Sequence, residues 1–541
     1  MSNDLTKDLK RCTFAIISHP DAGKTTVTEK LLWFGGLVRQ AGMVKSKSGD
    51  FAKSDWMEME QERGISITSS VMSYEYNNRY VHLLDTPGHK DFSEDTYRTL
   101  TAVESVLMMI DSAKGVEEQT QKLMEVCRLR DTPIVTFMNK YDRESMDAFE
   151  LLDNVEKELS IQCIPMTWPI GMGVDFKGVY DLKTDKVRVF DDKKDPLSVR
   201  DIDAKDLDNP ELIKYIGQPL RDKLEEDLEM IKELIPDFNM EEYLAGIMTP
   251  VFFGSALYNF GVKEVLDMIT NNAPGPRPRK AKLPPFDADS EEMVISPTEE
   301  KKFSGFVFKI QANMDKKHRD RIAFMRVCSG KFTRNQKLFH VRSEKEIKIT
   351  SPLIFQARDR ELAEEAYPGD IIGLHDTGKL QIGDTFTEGD KIQYTGIPSF
   401  APELFKKVAL KDPLKAKHLD KGLRQLSEEG ATQLFLRPAT GEKMLGAVGA
   451  LQFEVVKFRL EDEYNVNADY EGTPFSGVRW LKFVDKKQED KFRSEYGSNI
   501  LLDGKDRVCY GVKSPWDLKL CMEKNPEVKF FNNSDYVEAH H

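Results

Sequence analysis

An alternation of short apolar runs and amphipathic stretches over the first 150 residues constrains the fold of this 541-residue chain more than any other feature. Runs of that length are typical of buried strands. Strands that alternate with helices form βαβ units, which place the strands in a parallel sheet. We therefore predict an α/β domain here. The apolar runs lie at 12–18, 80–84, 106–110 and 134–138, and a representative amphipathic stretch lies at 116–130.

The alternation weakens beyond residue 142 and resumes with a buried-strand run at 251–253. Between these points the chain has a segment of weak periodicity and then an acidic helical run. We interpret residues of about 151–250 as a subdomain inserted into a first domain that covers 1–273.

Proline marks the end of that first domain. The twelve residues 274–285, PGPRPRKAKLPP, contain five prolines, which favour an extended and semi-rigid segment, so we predict a linker over 274–298. Short strand-like runs punctuated by Gly, Asp and Asn follow, and they predict a β-barrel domain over 299–395. Amphipathic helical stretches mixed with strands predict an α+β C-terminal domain over 396–541.

Charge and cysteine usage exclude several classes of protein. Asp and Glu total 91 against 78 Lys and Arg, a net charge of −13, so the whole chain is not a polycation that coats nucleic acid. Residues 396–541 hold 23 basic and 23 acidic side chains, which makes this part the candidate for an RNA-facing surface. No run approaches the about 18 apolar residues of a membrane helix, and the six cysteines lack CxxC spacing. We predict a cytoplasmic protein without membrane contact.

The segment SHPDAGKTT at 18–26 separates the first apolar run from an amphipathic helix. This is the setting of a phosphate-binding loop, because backbone N–H groups at the start of a helix bind phosphate. Lys24 would then reach the β and γ phosphates, and the Thr25 hydroxyl would ligate Mg²⁺. Ser18 stands where the usual GxxxxGK[ST] pattern has glycine. The alternative is a chance GKT on a surface turn.

Two more polar motifs each follow a predicted strand. DTPGH begins at Asp85, where nucleotide enzymes place a carboxylate associated with Mg²⁺, and Gly88 can donate its N–H to a γ-phosphate. NKYD begins at Asn139, and its amide and the Asp142 carboxylate can recognise the guanine edge, which selects GTP over ATP. Each motif alone also fits an ordinary turn. The three motifs in this order favour a GTP-binding domain.

With RGISIT at 63–68 and GSAL at 254–257, these segments stand in the order of the five nucleotide motifs of the translational GTPases, which the sequence resembles. The resemblance implies that the protein binds GTP or GDP with Mg²⁺ and hydrolyses GTP to GDP and phosphate. It implies an α/β P-loop GTPase domain with an inserted subdomain, followed by the β-barrel domain and the α+β C-terminal domain.

The resemblance also assigns roles to single residues. His89 would be the catalytic residue that orients the attacking water, and Pro20 and Ile65 would hold it away from the phosphate, although Pro20 replaces the usual aliphatic residue. Metal ligands would be Thr25, Asp85 and Ser66, where the family usually has threonine. The implied GTP-binding set is Ser18, His19, Pro20, Asp21, Ala22, Gly23, Lys24, Thr25, Thr26, Asp85, Thr86, Pro87, Gly88, His89, Asn139, Lys140, Tyr141, Asp142, Ser255 and Ala256.

Within the family, the phosphate loop, residues 57–70 (MEMEQERGISITSS) and residues 444–466 (MLGAVGALQFEVVKFRLEDEYNV) resemble the bacterial class II release factors. This implies a ribosome-dependent GTPase of translation termination that promotes dissociation of class I peptide-chain release factors after peptide release. It would act as a monomer at the ribosome's factor-binding site, with large-subunit RNA near His89 and the later domains on the small subunit. The alternatives are another translational GTPase, of the translocation or elongation type, and a non-enzymatic ribosome-binding protein that uses GTP as a structural ligand.

Overall fold

A computed structural model describes residues 10–37, 60, 66–190, 199–286, 290–312, 321–356, 359–397 and 401–532. Ile65, predicted to gate His89, lies outside these residues together with the two residues that precede it in the RGISIT segment. Within the described residues, every helix is too short or too polar to cross a membrane.

A seven-stranded sheet forms the centre of the first domain, in the order β2-β3-β1-β4-β5-β11-β6. All neighbouring pairs are parallel except β2 with β3. The apolar runs of the sequence are buried on both faces because helices cover both sides of the sheet. The strands are β1 (Lys10–Ser18), β2 (Ser70–Tyr76), β3 (Arg79–Asp85), β4 (Ser105–Asp111), β5 (Ile134–Asn139), β6 (Gln162–Pro165) and β11 (Met248–Phe253), and the helices are α1 (Lys24–Phe34), α2 (Ser93–Leu100), α3 (Glu118–Arg128), α4 (Ala148–Leu159) and α8 (Val262–Asn272).

Between β6 and β11 the chain leaves this sheet and forms a smaller unit around a four-stranded antiparallel sheet. Trp168 anchors this unit: its ring lies 5.3 Å from that of Phe253 in β11, and its indole N–H donates to Asp227 over 3.0 Å. The elements are β7 (Thr167–Ile170), β8 (Gly178–Asp181), β9 (Lys186–Phe190), β10 (Val199–Asp203), α5 (Pro210–Ile216), α6 (Gln218–Leu234) and α7 (Met240–Leu244).

The proline-rich segment is extended and enters a three-stranded sheet of β12 (Arg279–Lys282), β13 (Glu292–Ile295) and β24 (Gln393–Tyr394). Next to it, an eight-stranded curled sheet encloses its own apolar core, and we refer to this part as the barrel domain. Its sheet has the order β18-β17-β23-β14-β15-β22-β19-β20, and β16 pairs with β21. The strands are β14 (Ser304–Ala312), β15 (Arg321–Ser329), β16 (Phe332–Thr333), β17 (Lys337–His340), β18 (Lys345–Lys348), β19 (Leu353–Gln356), β20 (Asp359–Leu362), β21 (Glu365–Ala366), β22 (Ile371–His375) and β23 (Thr385–Thr387).

The C-terminal domain is built on a second eight-stranded sheet, in the order β28-β25-β27-β26-β30-β31-β29-β32. The predicted fold class, an α/β domain followed by a β domain and an α+β domain, is confirmed. The elements are β25 (Leu404–Leu410), α9 (Ala416–Glu428), β26 (Gln433–Arg437), β27 (Glu442–Ala447), α10 (Ala450–Tyr464), β28 (Ala468–Glu471), β29 (Gly477–Lys482), α11 (Lys486–Glu495), β30 (Ile500–Asp503), β31 (Val508–Val512), α12 (Pro515–Lys524) and β32 (Lys529–Phe531).

Candidate active site

The predicted site residues meet at the carboxyl ends of the parallel strands. In the register of the sheet, Ile16 of β1 pairs with Asp85 at the end of β3, and Asp111 at the end of β4 pairs with Asn139 at the end of β5. Ligands of open α/β sheets bind at this edge. Ser18 ends β1, residues 19–23 form a loop, residues 24–26 begin α1, residues 86–89 follow β3, residues 140–142 follow β5, and Ser255 and Ala256 follow β11.

The loop between β1 and α1 has the geometry of an anion cradle. Gly23 precedes α1 with φ +93°, a left-handed conformation that glycine adopts without strain. A Cβ at Gly23 would also overlap the side-chain amide of Asn139. Lys24, at the first turn of α1, places its ammonium 2.5 Å from Oδ1 of Asp85. The first turn of α1 thus presents backbone N–H groups and a lysine on one side of the loop.

Asp85 is the best-placed carboxylate for a metal ion. It is 2% exposed, and its Oδ2 has no hydrogen-bond partner in the described part of the chain. No group of three His, Cys, Asp or Glu side chains that could hold a metal occurs among the described residues. A single buried carboxylate with a free oxygen fits Mg²⁺, which uses one or two carboxylates together with water and phosphate oxygens. Thr25, half-buried in the first turn of α1, can supply a hydroxyl.

The segment after β3 packs directly on the phosphate loop. The Thr86 hydroxyl donates to the Ile16 carbonyl over 2.6 Å, and a Cβ built on Gly88 would lie 3.5 Å from the carbonyl oxygens of Ser18 and His19. The Gly88 backbone therefore lies against the loop. His89 follows with a side chain that is 29% exposed, and its Nδ1 accepts from the Asp91 N–H over 3.2 Å.

Asn139 connects three loops of the site. Its Nδ2 donates to the Ala22 carbonyl over 2.8 Å, and its Oδ1 accepts from the Ala256 N–H over 2.9 Å. The Ser255 hydroxyl donates to Oδ1 of Asp142 over 2.5 Å. Asn139 thus fixes the spacing of the loops, and Asp142 is oriented by Ser255.

Lys140 and Asp111 form an ion pair that the sequence did not reveal. The Lys140 ammonium lies 2.7 Å from Oδ2 of Asp111 and also donates to the Asp21 carbonyl. Burial alone would raise the pKa of Asp111, but Lys140 and the Ala113 N–H hold that pKa below its ordinary value. An available signal was that Asp111 directly follows the apolar run 106–110, as Asp85 follows its own strand.

His19 is completely buried, and neither ring nitrogen has a hydrogen-bond partner in the described part of the chain. Burial lowers the pKa of His19 below 6.5, so the ring is neutral near pH 7. A neutral imidazole adds no charge near the Lys114 and Lys140 ammonium groups.

Ser66 is half-buried and precedes two anchored residues. The backbone N–H groups of Ile67 and Thr68 donate to Oε1 of Glu60 over 2.9 and 3.3 Å. Ser69 then donates from its N–H and hydroxyl to Oδ2 of Asp95 over 2.5 and 2.7 Å. The end of the RGISIT segment is therefore tied to α2.

The segment that carries His89 also contacts the C-terminal domain. Oδ2 of Asp91 accepts from the Leu451 N–H over 2.7 Å, in the first turn of α10. A Cβ at Gly449, the residue that precedes α10, would overlap the Asp91 carboxyl group. Phe92 packs with Ile67 and Val455 in a small apolar cluster. The end of the RGISIT segment, the segment after β3 and α10 thus share one contact.

Comparison with known families covers most of the chain. Residues 9–275 match the elongation factor Tu GTP-binding domain, and residues 302–389 match elongation factor G domain 2. Residues 394–522 match the class II release factor RF3 C-terminal domain.

A similar solved structure is a crystal structure of a protein from Thermus thermophilus. It is 21% identical to this chain with a TM-score of 0.68, and the alignment covers 88% of this chain and 71% of that one. At this identity the likeness shows a shared fold. The arrangement of the three domains therefore occurs in a second protein.

Proposed function

Because the chain is a translational GTPase of the class II release-factor type, we propose that it acts in translation termination. It hydrolyses GTP on the ribosome and promotes dissociation of class I release factors after peptide release. The observation that carries this proposal is a contact between the region that matches a GTP-binding domain and the region that matches a release-factor domain. Asp91, in the segment that bears His89, accepts a hydrogen bond from Leu451 of the C-terminal domain.

In this proposal the site binds GTP through four groups of residues. The phosphate loop and Lys24 hold the phosphates, while Asn139 and Asp142 recognise guanine with support from Ser255 and Ala256. Mg²⁺, when bound, neutralises charge on the phosphates. Thr25, Ser66 and Asp85 would hold the metal.

None of the described side chains at the site is a strong base, so in this proposal His89 acts by orienting water. Its Nδ1 accepts from the Asp91 N–H, and in this proposal the ring turns from this position to face the γ-phosphate. We propose that large-subunit RNA at the factor-binding site favours the turned position, and that intrinsic hydrolysis is slow without the ribosome.

Asp91 would carry the state of the nucleotide to the C-terminal domain. A carboxylate at a helix N-terminus is favourable because it meets unpaired N–H groups and the positive end of the helix dipole. Gly88 senses the γ-phosphate three residues before Asp91, so its relaxation after hydrolysis displaces the carboxylate from α10. The displacement would free the C-terminal domain to change position on the ribosome.

The same proposal places a monomer in the cytoplasm, with the ribosome and a class I release factor as partners. The barrel and C-terminal domains would contact the small subunit. The alternative of a translocation or elongation-type factor accounts less well for residues 394–522, which match a release-factor domain.

The test is GTP hydrolysis by the purified protein, alone and with ribosomes, measured together with release of a labelled class I factor from termination complexes. We expect ribosomes to stimulate hydrolysis and the protein to accelerate release. His89→Ala should lose the stimulated hydrolysis, by at least about a hundredfold, while still binding GTP. Stimulated hydrolysis without faster factor release would instead support the translocation alternative.

A non-enzymatic role makes the opposite prediction for the same variant. If GTP were only a structural ligand, His89→Ala would continue to release class I factors over many rounds. If the protein is an enzyme, the His89→Ala variant should stop after one round, since it cannot hydrolyse its bound GTP to GDP.

A further inference from the structure

Helix α9 of the C-terminal domain has an exposed face of unpaired cations. Lys417, Lys421 and Arg424 are exposed and occupy positions i, i+4 and i+7, which lie on one face of a helix. Within the part of the chain that the structure describes, none of the three has an ion-pair or hydrogen-bond partner. We call these three residues the α9 stripe.

The acidic residues around the stripe are already engaged. Asp412 accepts from the Leu414 N–H over 3.0 Å, Asp420 pairs with Lys443 over 2.5 Å, and Glu428 pairs with Arg321 of the barrel domain over 2.5 Å. None of these three carboxylates therefore pairs with the stripe, although the chain has a net charge of −13.

The opposite face of α9 holds the helix in place. Leu419, Leu423 and Leu426 are buried in the core of the C-terminal domain, so the three cations project from a fixed element. Seven residues of helix span about 10 Å. The stripe is thus a row of charges at fixed spacing and not a set of independent surface lysines.

We propose that the α9 stripe binds the phosphate backbone of ribosomal RNA, an inference that rests on the proposed ribosomal function. Lys and Arg that neutralise phosphates release counterions, and this supplies most of the sequence-independent affinity for nucleic acid. Centres of protein–protein interfaces are instead depleted in lysine and enriched in aromatic residues. All of α9 is described, and no apolar side chain lies on this face between Lys417 and Arg424.

The proposal predicts a particular dependence on salt. We would measure binding of the full-length protein to purified ribosomes between about 50 and 200 mM salt. We would replace Lys417, Lys421 and Arg424 together by Gln. The slope of log K against log salt is negative, and its magnitude should decrease by about 2 to 3, since each phosphate contact contributes about 0.7 to 0.9. GTP hydrolysis without ribosomes should be unchanged, which shows that the GTPase domain of the variant is folded, and an unchanged circular dichroism spectrum would show the same for the whole chain.

A matched control removes three other exposed charges of the same domain, with Lys487→Gln, Lys491→Gln and Lys524→Gln. This control should keep a slope close to that of the unaltered protein. An equal loss of slope in both variants would overturn the proposal, because it would indicate an effect of net charge alone.

Two further outcomes separate this inference from the proposed function. If the unaltered protein bound ribosomes and the stripe variant had the same slope, the inference would be wrong and the proposed function would stand. A weaker affinity with an unchanged slope would also overturn it, because the loss of phosphate contacts must reduce the slope. If the unaltered protein failed to bind ribosomes, the proposed function itself would fail.

Discussion

The GTPase domain contacts the barrel domain and the C-terminal domain through two different kinds of interface. The barrel interface has buried ion pairs at the amino ends of the parallel strands, and Lys309 of β14 also donates to the Ser69 carbonyl and pairs with Asp95 of α2. The C-terminal interface is made by the segment after β3 and consists of a helix cap and a small apolar cluster. The two interfaces lie toward opposite ends of β1, and this strand spans about 23 Å from Arg11 to Ser18. From this difference we expect the joint with the buried charges to stay closed and the smaller joint to change with the nucleotide.

The barrel joint is a network of buried charges. Arg11 forms a double hydrogen bond with Asp370 over 3.0 and 3.2 Å, and His82 contacts the same carboxylate over 3.0 Å. Glu104 lies between Arg279, at 2.9 Å, and Arg326. Each partner is buried, so opening this joint would expose or isolate several charges at once.

The C-terminal joint is smaller. Asp91 makes one hydrogen bond to α10, and Ile67, Phe92 and Val455 form the apolar contact. Loss of the hydrogen bond between Asp91 and α10 should cost little free energy, because a side chain that caps a helix contributes about 1 kcal/mol. A switch that alternates between two states needs a contact of this size.

The largest expected effect comes from removing Glu104, because two buried guanidinium groups then lose their counter-charge. Glu104→Gln should lower the free energy of unfolding by about 3 to 5 kcal/mol. Urea denaturation measures this, with Glu118→Gln as the control, since Glu118 pairs with Lys122 on the exposed surface of α3 and should leave the midpoint unchanged. An equally small effect at Glu104 would mean that the barrel joint is not the rigid one.

A smaller effect is expected at the C-terminal joint. Asp91→Ala should weaken the contact with α10 by about 1 kcal/mol, which corresponds to roughly fivefold faster hydrogen exchange at the Leu451 amide. Asp91→Asn keeps an acceptor oxygen and should change the exchange rate less. Unaltered exchange in Asp91→Ala would show that the carboxylate does not cap α10 in solution.

The smallest expected effect is a loss of folding stability at acidic pH. Burial lowers the pKa of His82 below 6.5 despite the nearby Asp370. The unfolded chain therefore takes up a proton that the folded chain does not, and stability should decrease as the pH falls below about 6.5. His82→Gln should remove this part of the pH dependence in thermal unfolding, whereas substitution of the exposed His418 should not. A pH profile that His82→Gln leaves intact would contradict the assignment.

At lower pH, protonation of Asp370 should also destabilise the folded protein. Burial alone would raise the pKa of Asp370, but His82 and Arg11 hold it below 3.8. Its stabilising charge is complete above the ordinary Asp value and is lost as the pH falls through the folded pKa. Further acid destabilisation should therefore appear below about pH 4.

The sequence predicted the fold class and the motifs because their signals are local. Apolar runs followed by Asp85 and Asn139 indicate strand ends without any knowledge of the partner strands. The parallel sheet then brings those ends together. The proposed roles of the site residues remain predictions.

Contacts between distant residues left no such signal. The Arg11–Asp370 pair joins residues 359 positions apart, and Asp91 and Leu451 are 360 apart. A charged residue in a loop is usually exposed, so neither contact could be inferred from composition or periodicity. The ion pair of Asp111 with Lys140 was missed for a different reason. Lys140 was interpreted only as part of the NKYD motif, so no partner was sought for it.

The difference between the two joints is tested most directly by two distances in one protein. All six cysteines are buried, so labels can be placed at introduced cysteines on the exposed positions Leu129 of the GTPase domain, Lys337 of the barrel domain and Trp516 of the C-terminal domain. With GDP and then a non-hydrolysable GTP analogue, we predict a changed distance between positions 129 and 516 and a constant distance between 129 and 337. Equal changes in both distances, or a change confined to the barrel pair, would contradict the account.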